Sequence, residues 1–295
     1  MPDSSIPLCC PLDGGDLTGQ WLCRRCGASF PKVDVDGTPV VDLRAIGARV
    51  DVSLTFSVPA EPVPAELRRR LLTPKRWPAD LLDRETIRSK YGTKLHEGFQ
   101  LHLRDLRQQR GDGLRILDHG CGSGGNKRYL QDLGFHDIVG VDWWSAGASY
   151  LADAHRLPFP PSSFDLVLST AVLEHCYFPH LAMREIARVL RPGGVALMGV
   201  SFWESWHGES FFHFTPNGVY ALCQQAGLQL EDLWSGWGFI PAVLSHAVSS
   251  KLKRTGYRAQ TVWDAVSRRL MGEERAYEKK IRTSGSLQFR ADRPR

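Results

Sequence analysis

The chain has 295 residues, 42% hydrophobic and 23% charged, which is a globular balance and excludes a collagen-like, coiled-coil or wholly disordered chain. Its 37 basic and 32 acidic side chains leave a formal charge of +5, a hint of an anionic partner. No apolar run approaches the roughly 18 residues of a membrane helix, and the opening MPDSSIPLCCPLDGG lacks the basic start and apolar stretch of a signal peptide. A cytoplasmic location is therefore expected, with the seven cysteines as thiols or metal ligands rather than disulfides.

The charge is unevenly spread. Residues 1–110 carry +3, residues 111–240 carry −6 and residues 241–295 carry +8. Four cysteines cluster early, at Cys9, Cys10, Cys23 and Cys26. Cys23-Arg24-Arg25-Cys26 is a C-x-x-C knuckle, and Gly27 permits the tight turn after it. A zinc ribbon wants a second pair about a dozen residues away. Cys10 and Asp13 stand there, with a carboxylate where a thiolate is usual. Carboxylate oxygen also binds zinc, and Cys9 is an alternative fourth ligand. The expected ligands are Cys10, Asp13, Cys23 and Cys26, in a module over 1–56. A metal-free β-hairpin with buried cysteines is the other reading.

The proline-rich residues 57–64 read as a semi-rigid linker. From Glu66 to Arg110 the pattern turns helical, completing a connector over 57–110. Leu95, Phe99, Leu103 and Leu106 form one apolar stripe, stopped by Gly111. Short apolar runs then alternate with helical stretches. Strands are predicted at 114–118, 137–142, 150–154, 164–169, 195–200 and 228–234. Arg191-Pro192-Gly193-Gly194 is expected to end a helix over 181–190. Thr215-Pro216 is expected to start the next, as N-cap and first-turn proline. Such alternation implies an α/β fold with a parallel, doubly wound sheet.

The loop His119-Gly120-Cys121-Gly122-Ser123-Gly124 follows the first of these strands, where open α/β sheets bind ligands. Gly120, Gly122 and Gly125 also satisfy the dinucleotide pattern G-x-G-x-x-G, so NAD is a formal alternative. Asp118 argues against it, because a carboxylate there repels a pyrophosphate and suits an ammonium and a sulfonium. Asp142 suits ribose hydroxyls in either cofactor. Asp153, followed by Ala154, is placed to accept from an adenine amino group.

The stretches ILDHGCGSG, VGVD, ADAHRLPFPPSSFDLVLSTAVLEH, REIARVLRPGGVALMGV and FHFTPNGVYALCQQAGL run in this order over about residues 110–235. Together they resemble class I S-adenosylmethionine (SAM)-dependent methyltransferases of the small-molecule type. The N-terminal segment resembles the zinc ribbon at the head of some bacterial methyltransferases, and the stand-alone methyltransferase-activator ribbon. The resemblance implies a seven-stranded Rossmann-like sheet with a small zinc-ribbon-like module. It also implies an antiparallel last strand, which 286–291 fits. The catalytic domain then spans 111–295, with a largely helical insertion at 238–283. The implied cofactor is SAM, with Asp118, Gly120 and Gly122 at its methionine end and Asp142 on the ribose. Trp143 would stack on adenine, Asp153 and Ala154 would meet its edge, and Thr170 would line the pocket.

Val243, His246, Ala247, Leu252, Val262, Val266 and Leu270 space the insertion helically. It carries most of the positive tail and is expected to be a cap, or a surface for an anionic partner or membrane. Trp143, Trp144, Trp203, Trp206, Trp234 and Trp237 fall at strand ends, which predicts an aromatic-walled pocket.

Methyl transfer from a sulfonium is an in-line displacement, so the protein mainly aligns donor and acceptor. Oxygen and nitrogen acceptors also need a proton removed, and histidine titrates nearest neutral pH. The catalytic candidates are His213 and His207, then His175, with Glu204 and Tyr177 behind them. The expected acceptor is a small molecule: a sugar, a lipid-linked or a natural-product intermediate. The alternatives are an rRNA or tRNA base methyltransferase and a non-catalytic SAM-fold scaffold. The acidic core argues against nucleic acid, whose phosphates need clustered Lys and Arg.

Overall fold

A computed structural model describes residues 6–48, 63–247 and 253–295. The linker residues 57–62, the module boundary at 56 and Leu252 lie outside the described residues. Near the start, Asp36 and Gly37 have φ of +50° and +80°, the type I′ turn whose twist suits a hairpin. They join β1 (Lys32–Val35) to β2 (Thr38–Asp42).

The connector is helical but divided, into α1 (Ala65–Leu71), α2 (Arg84–Tyr91) and α3 (Glu97–Arg110). Pro74 and Pro78 break the first gap, because proline cannot continue a helix. Asp83 caps α2 by accepting from Glu85 N and Thr86 N, and Gly92 ends it in the left-handed region. Phe99, Leu103 and Leu106 of α3 are buried as the stripe predicts, and Gly111 ends the helix.

The parallel core follows: β3 (Ile116–His119), α4 (Gly125–Asp132), β4 (Ile138–Asp142), β5 (Tyr150–Leu151), β6 (Phe164–Thr170), α5 (Pro179–Val189) and β7 (Leu190–Ser201). Then come α6 (Pro216–Gln225), β8 (Gln229–Trp237), α7 (Phe239–Ala247), α8 (Lys253–Met271), α9 (Glu273–Arg282) and β9 (Ser286–Asp292). Thr215 caps α6 as expected, its hydroxyl accepting from Gly218 N at 3.1 Å.

The sheet order is β1-β2-β5-β4-β3-β6-β7-β9-β8. The seven expected strands are there, with β9 antiparallel between β7 and β8. Two more extend one edge: β2 pairs parallel with β5, through Val41 opposite Tyr150. The N-terminal module is thus continuous with the main sheet, and Cys10, Cys23 and Phe30 join its core. Alternate residues of the central strands enter opposite cores. Ile116, Leu166 and Leu197 pack with α3 and α4, while Leu117, Val167 and Met198 pack with α5 and α6. Burial on both faces is what makes these strands apolar without a break.

Two expectations are corrected here. The helix ends just before Arg191–Gly194 as expected, but the strand predicted at 195–200 already begins at Leu190. Leu190 already pairs with Phe164 and Val195 with Leu166, so Asp165 alone faces residues 191–194 in a bulge. The stripe Val262, Val266 and Leu270 lies on a helix as its spacing predicts, α8, and faces outward, 65%, 43% and 78% exposed. The wall of six tryptophans is not formed. Trp234 is a core residue, with its ring edge-on to Phe99 and Trp77 and its Nε1–H donating to Gln288 Oε1 at 2.6 Å. Trp206 is 78% exposed, and Trp203 stacks on Phe239. Sequence spacing placed these rings at strand ends but not on a common side. Among the described residues no helix is long and apolar enough to cross a membrane.

Candidate active site

The glycine loop connects β3 to α4. Asp118, just before it, is fully buried. Its Oδ1 accepts from Asn126 Nδ2 at 2.8 Å, while Oδ2 is buried with no hydrogen-bond partner. Burial pushes its pKa up to about 7 against the Asn126 hydrogen bond, and the Asp142 charge adds to the rise. An orphaned buried carboxylate oxygen is costly, and an ammonium group placed there would satisfy it. Gly120 has φ +72°, and a Cβ on it would lie 2.2 Å from Val172 Cγ2. Glycine alone lets this loop close against the segment after β6.

At the end of β4, Asp142 accepts from Gly122 N at 2.9 Å and from Trp144 N at 3.1 Å, one bond on each oxygen. Lone-pair capacity remains for two ligand hydroxyls. Trp143 and Trp144 are half exposed, and the Arg44 guanidinium lies 5.0 Å from each ring centroid. Arg44 is held by Asp42 of β2 at 2.7 Å and donates to Trp143 O at 3.1 Å. The added hairpin therefore orients the ring expected to stack on adenine. Asp153 accepts from His155 N at 2.9 Å and His155 Nδ1 at 2.6 Å. Burial raises this carboxyl, but the two hydrogen bonds outweigh it and hold it below its usual range. His155 Nε2 accepts from Phe178 N at 3.1 Å, which puts the imidazole proton on Nδ1. Ala154 follows, half-buried.

Thr170 ends β6, and Ala171 beside it has φ +57°, a strained value for a side-chain-bearing residue. Both line a cavity of about 420 Å³, together with Arg84, Arg88, His96, Glu174, Glu204 and Trp237. Of the cofactor candidates only Thr170 reaches it. The connector supplies part of its wall, through Arg84, Glu85, Arg88, Lys94, His96 and Phe99. Burial, then the charges of Arg84, Lys94 and Arg88, hold His96 well below its ordinary pKa, so the imidazole is neutral. Its Nδ1 is buried without a partner. Sequence reading missed His96 and these cations. The available signal was a dense run of basic residues at 84–94.

The three predicted catalytic histidines do gather. Ring centroids lie 5.5 Å apart for His175 and His207, and 6.1 Å for His207 and His213. None of them lines the cavity; Glu174 and Ser201, beside them, do.

The four predicted metal ligands also gather. One ligand atom from each of Cys10, Asp13, Cys23 and Cys26 lies within 4.8 Å of the other three. Cys10 Sγ is 3.7 Å from Cys26 Sγ, and Cys23 Sγ is 3.4 Å from Asp13 Oδ1. The N–H groups of Leu12, Arg25 and Cys26 point at the sulfurs of Cys10 and Cys23, each at 3.4 Å. Such N–H···S contacts stabilise thiolates. Cys9 lies elsewhere, bridged to Asp16 and donating its N–H to Pro158 O.

Residues 117–198 match a family model described as a methyltransferase domain. The chain is 30% identical over 138 residues to the malonyl-[acyl-carrier protein] O-methyltransferase of Enterobacter lignolyticus, covering 39% of this chain and 53% of that protein. It is 35% identical over 155 residues to the ubiquinone biosynthesis O-methyltransferase of Maricaulis maris, covering 41% and 61%. The chain thus spans a little over half the length of these two curated relatives. Among solved structures, an S-adenosylmethionine-dependent methyltransferase from Mesorhizobium loti matches with a TM-score of 0.44 and 17% identity, covering 68% of this chain and 99% of that one. Residues 117–198, which hold the glycine loop and the acidic strand ends, thus match a methyltransferase domain.

Proposed function

We propose that the protein transfers a methyl group from SAM to a small-molecule acceptor. The observation that carries this is Asp118 Oδ2, a buried carboxylate oxygen without a partner at the glycine loop. When bound, SAM supplies an activated methyl group on a sulfonium. The residues do the rest. Asp118 receives the ammonium group, Asp142 the ribose hydroxyls, and Asp153 with Ala154 the adenine edge. Thr170 and Ala171 form the border between the cofactor and the cavity.

In the cavity, His96 is the neutral imidazole placed to take a proton from an acceptor hydroxyl. His213, with His207 and His175, is the second histidine group. Arg84, Arg88 and Lys94 favour an acceptor bearing an anionic group, while Glu85, Glu174 and Glu204 make the rest of the charged wall acidic. The names of the relatives, one for malonyl-[acyl-carrier protein] and one for ubiquinone biosynthesis, support a small or carrier-linked acceptor. Titration calorimetry with S-adenosylhomocysteine tests the cofactor assignment, with a dissociation constant of about 1 μM to 1 mM expected from typical substrate affinities. Failure to bind would favour the scaffold alternative, and displacement by NADH would favour a dehydrogenase.

An anionic partner or membrane at 241–285 is a secondary proposal. Its support is the outward stripe of α8 beside Arg268 and Arg269, and sedimentation with anionic vesicles reads it. Part of that charge is already spent on ion pairs, Lys280 with Asp264 and Arg282 with Glu278.

We also assign structural zinc to Cys10, Asp13, Cys23 and Cys26, in a cytoplasmic, thiol-preserving setting. Cys26→Ser is expected to remove about one equivalent of zinc by elemental analysis. An unchanged zinc content would leave the metal-free hairpin.

A further inference from the structure

A second group of ligand-bearing side chains lies at the carboxyl ends of β6 and β7. One ligand atom from each of Glu174, His175 and His207 lies within 4.8 Å of the other two. We propose that these three residues bind a divalent metal ion, zinc by their donor set, at the wall of the acceptor cavity.

Three further observations support a site rather than a chance cluster. Glu174 is buried; its Oε1 accepts from Ser201 Oγ at 2.8 Å, and Oε2 is left with no hydrogen-bond partner. A buried carboxylate oxygen in that state is destabilising unless a cation meets it. The partner of His207 Nδ1 is Ser205 O at 3.1 Å. A carbonyl only accepts, so the proton sits on Nδ1 and the Nε2 lone pair is free for a metal. Orientation of a ligating imidazole through its other nitrogen is the usual second layer of a metal site. Finally, Phe211 N and Phe212 N donate to Glu174 O at 2.7 and 3.2 Å. These bonds tie the segment carrying His207 to the residue carrying the carboxylate. Glu204, also on the cavity wall, adds negative charge near Glu174.

Two imidazoles and one carboxylate with a position left open match zinc sites that act on a bound oxygen. Bonds of about 2.0–2.2 Å would put the ligand atoms about 3.3 Å apart. Most of the adjustment falls to His175, which is exposed and free to change rotamer. A metal here would lower the pKa of an acceptor hydroxyl held in the adjoining cavity. That role rests on the methyltransferase reading; the metal site itself does not. The sequence pointed to His175 and His207 as bases, but spacing cannot show that residues 174 and 207 meet.

The test is metal content of the full chain after chelation and dialysis against zinc, beside His207→Ala and Glu174→Gln. The wild type should bind about one equivalent more than either variant, since loss of a ligand or its support costs about 10- to 100-fold or more in affinity. Cobalt separates the two clusters. The thiolate-to-cobalt band reports the cysteine site and should persist in His207→Ala, while the additional d–d absorption should vanish. Equal metal content in the wild type and a folded His207→Ala, judged by circular dichroism, overturns the proposal. Calorimetry with S-adenosylhomocysteine on the same wild-type sample is independent. Its failure would count against the methyltransferase reading and leave the metal count standing.

Discussion

Asp118→Asn is expected to weaken S-adenosylhomocysteine binding by ~10- to 100-fold, the ~1.5–3 kcal/mol of a hydrogen bond to a charged group. Asparagine keeps the shape and the contact to Asn126 but not the charge. The same residue sets a pH dependence. With a pKa of about 7 in the free protein, Asp118 is largely protonated under mildly acidic conditions. Only its carboxylate pairs with an ammonium. Affinity should therefore rise about tenfold per pH unit towards pH 7 and level off above it. Binding lowers the pKa and releases a proton, seen as a buffer-dependent enthalpy.

The stability effect has the opposite slope. The folded pKa is raised above the unfolded value of 3.8, so the fold favours the protonated form. That contribution is complete below about pH 4 and is lost as pH rises through about 7. Ligand offsets the loss. If Asp118→Asn shows the same pH slope in binding as the wild type, another group titrates and the assignment to Asp118 fails.

Trp234→Ala should cost ~3–5 kcal/mol, the range for removing a large buried aromatic. In a domain of this size that is a fall in Tm of roughly 10 °C. The ring touches both the connector and the sheet. It packs on Phe99 of α3, on Trp77 and on His102, and it bonds to Gln288 of β9. Gly98 belongs to the same contact, since a Cβ there would lie 2.2 Å from Trp234 Nε1. Trp234→Phe should cost less, because it keeps apolar volume and loses mainly the Gln288 bond. Phe99 and Gln288 also line the cavity, so Trp234→Ala should loosen it while sparing the cysteine cluster. Scanning calorimetry checks both variants. A melting point within a degree or two of the wild type for Trp234→Ala would mean that the ring is not the keystone of this interface.

Much of the central pattern was readable without coordinates. Continuous apolar runs separated by helical spacing specify a sheet buried on both faces, and β3 to β9 follow that pattern to within a few residues. Thr215-Pro216 and Gly111 act locally, so their effects survive in any tertiary setting. The hairpin was also legible in principle: Asp36-Gly37 between alternating residues is a strong turn signal. Its docking on β5 was not, because a free strand edge does not say which strand will meet it. The tryptophans fail for a related reason. A strand places a residue at its end by count, whereas the side its ring takes depends on what packs there. Arg44 captures Trp143 and Trp144, while α3 covers Trp234.

The sequence by itself determined the α/β sheet, the glycine loop with its acidic strand ends, and the C-x-x-C knuckle of the N-terminal cluster. Each is set by local spacing, turn chemistry or period, which act over a few residues. Tertiary structure alone decided that the N-terminal hairpin extends the sheet and that the connector supplies His96, Arg84, Arg88 and Lys94 to the cavity beside Thr170. It alone decided that Glu174 and His207, 33 positions apart, share one cluster. Those outcomes depend on which surfaces bury one another, and burial is a property of the folded chain rather than of any segment in it.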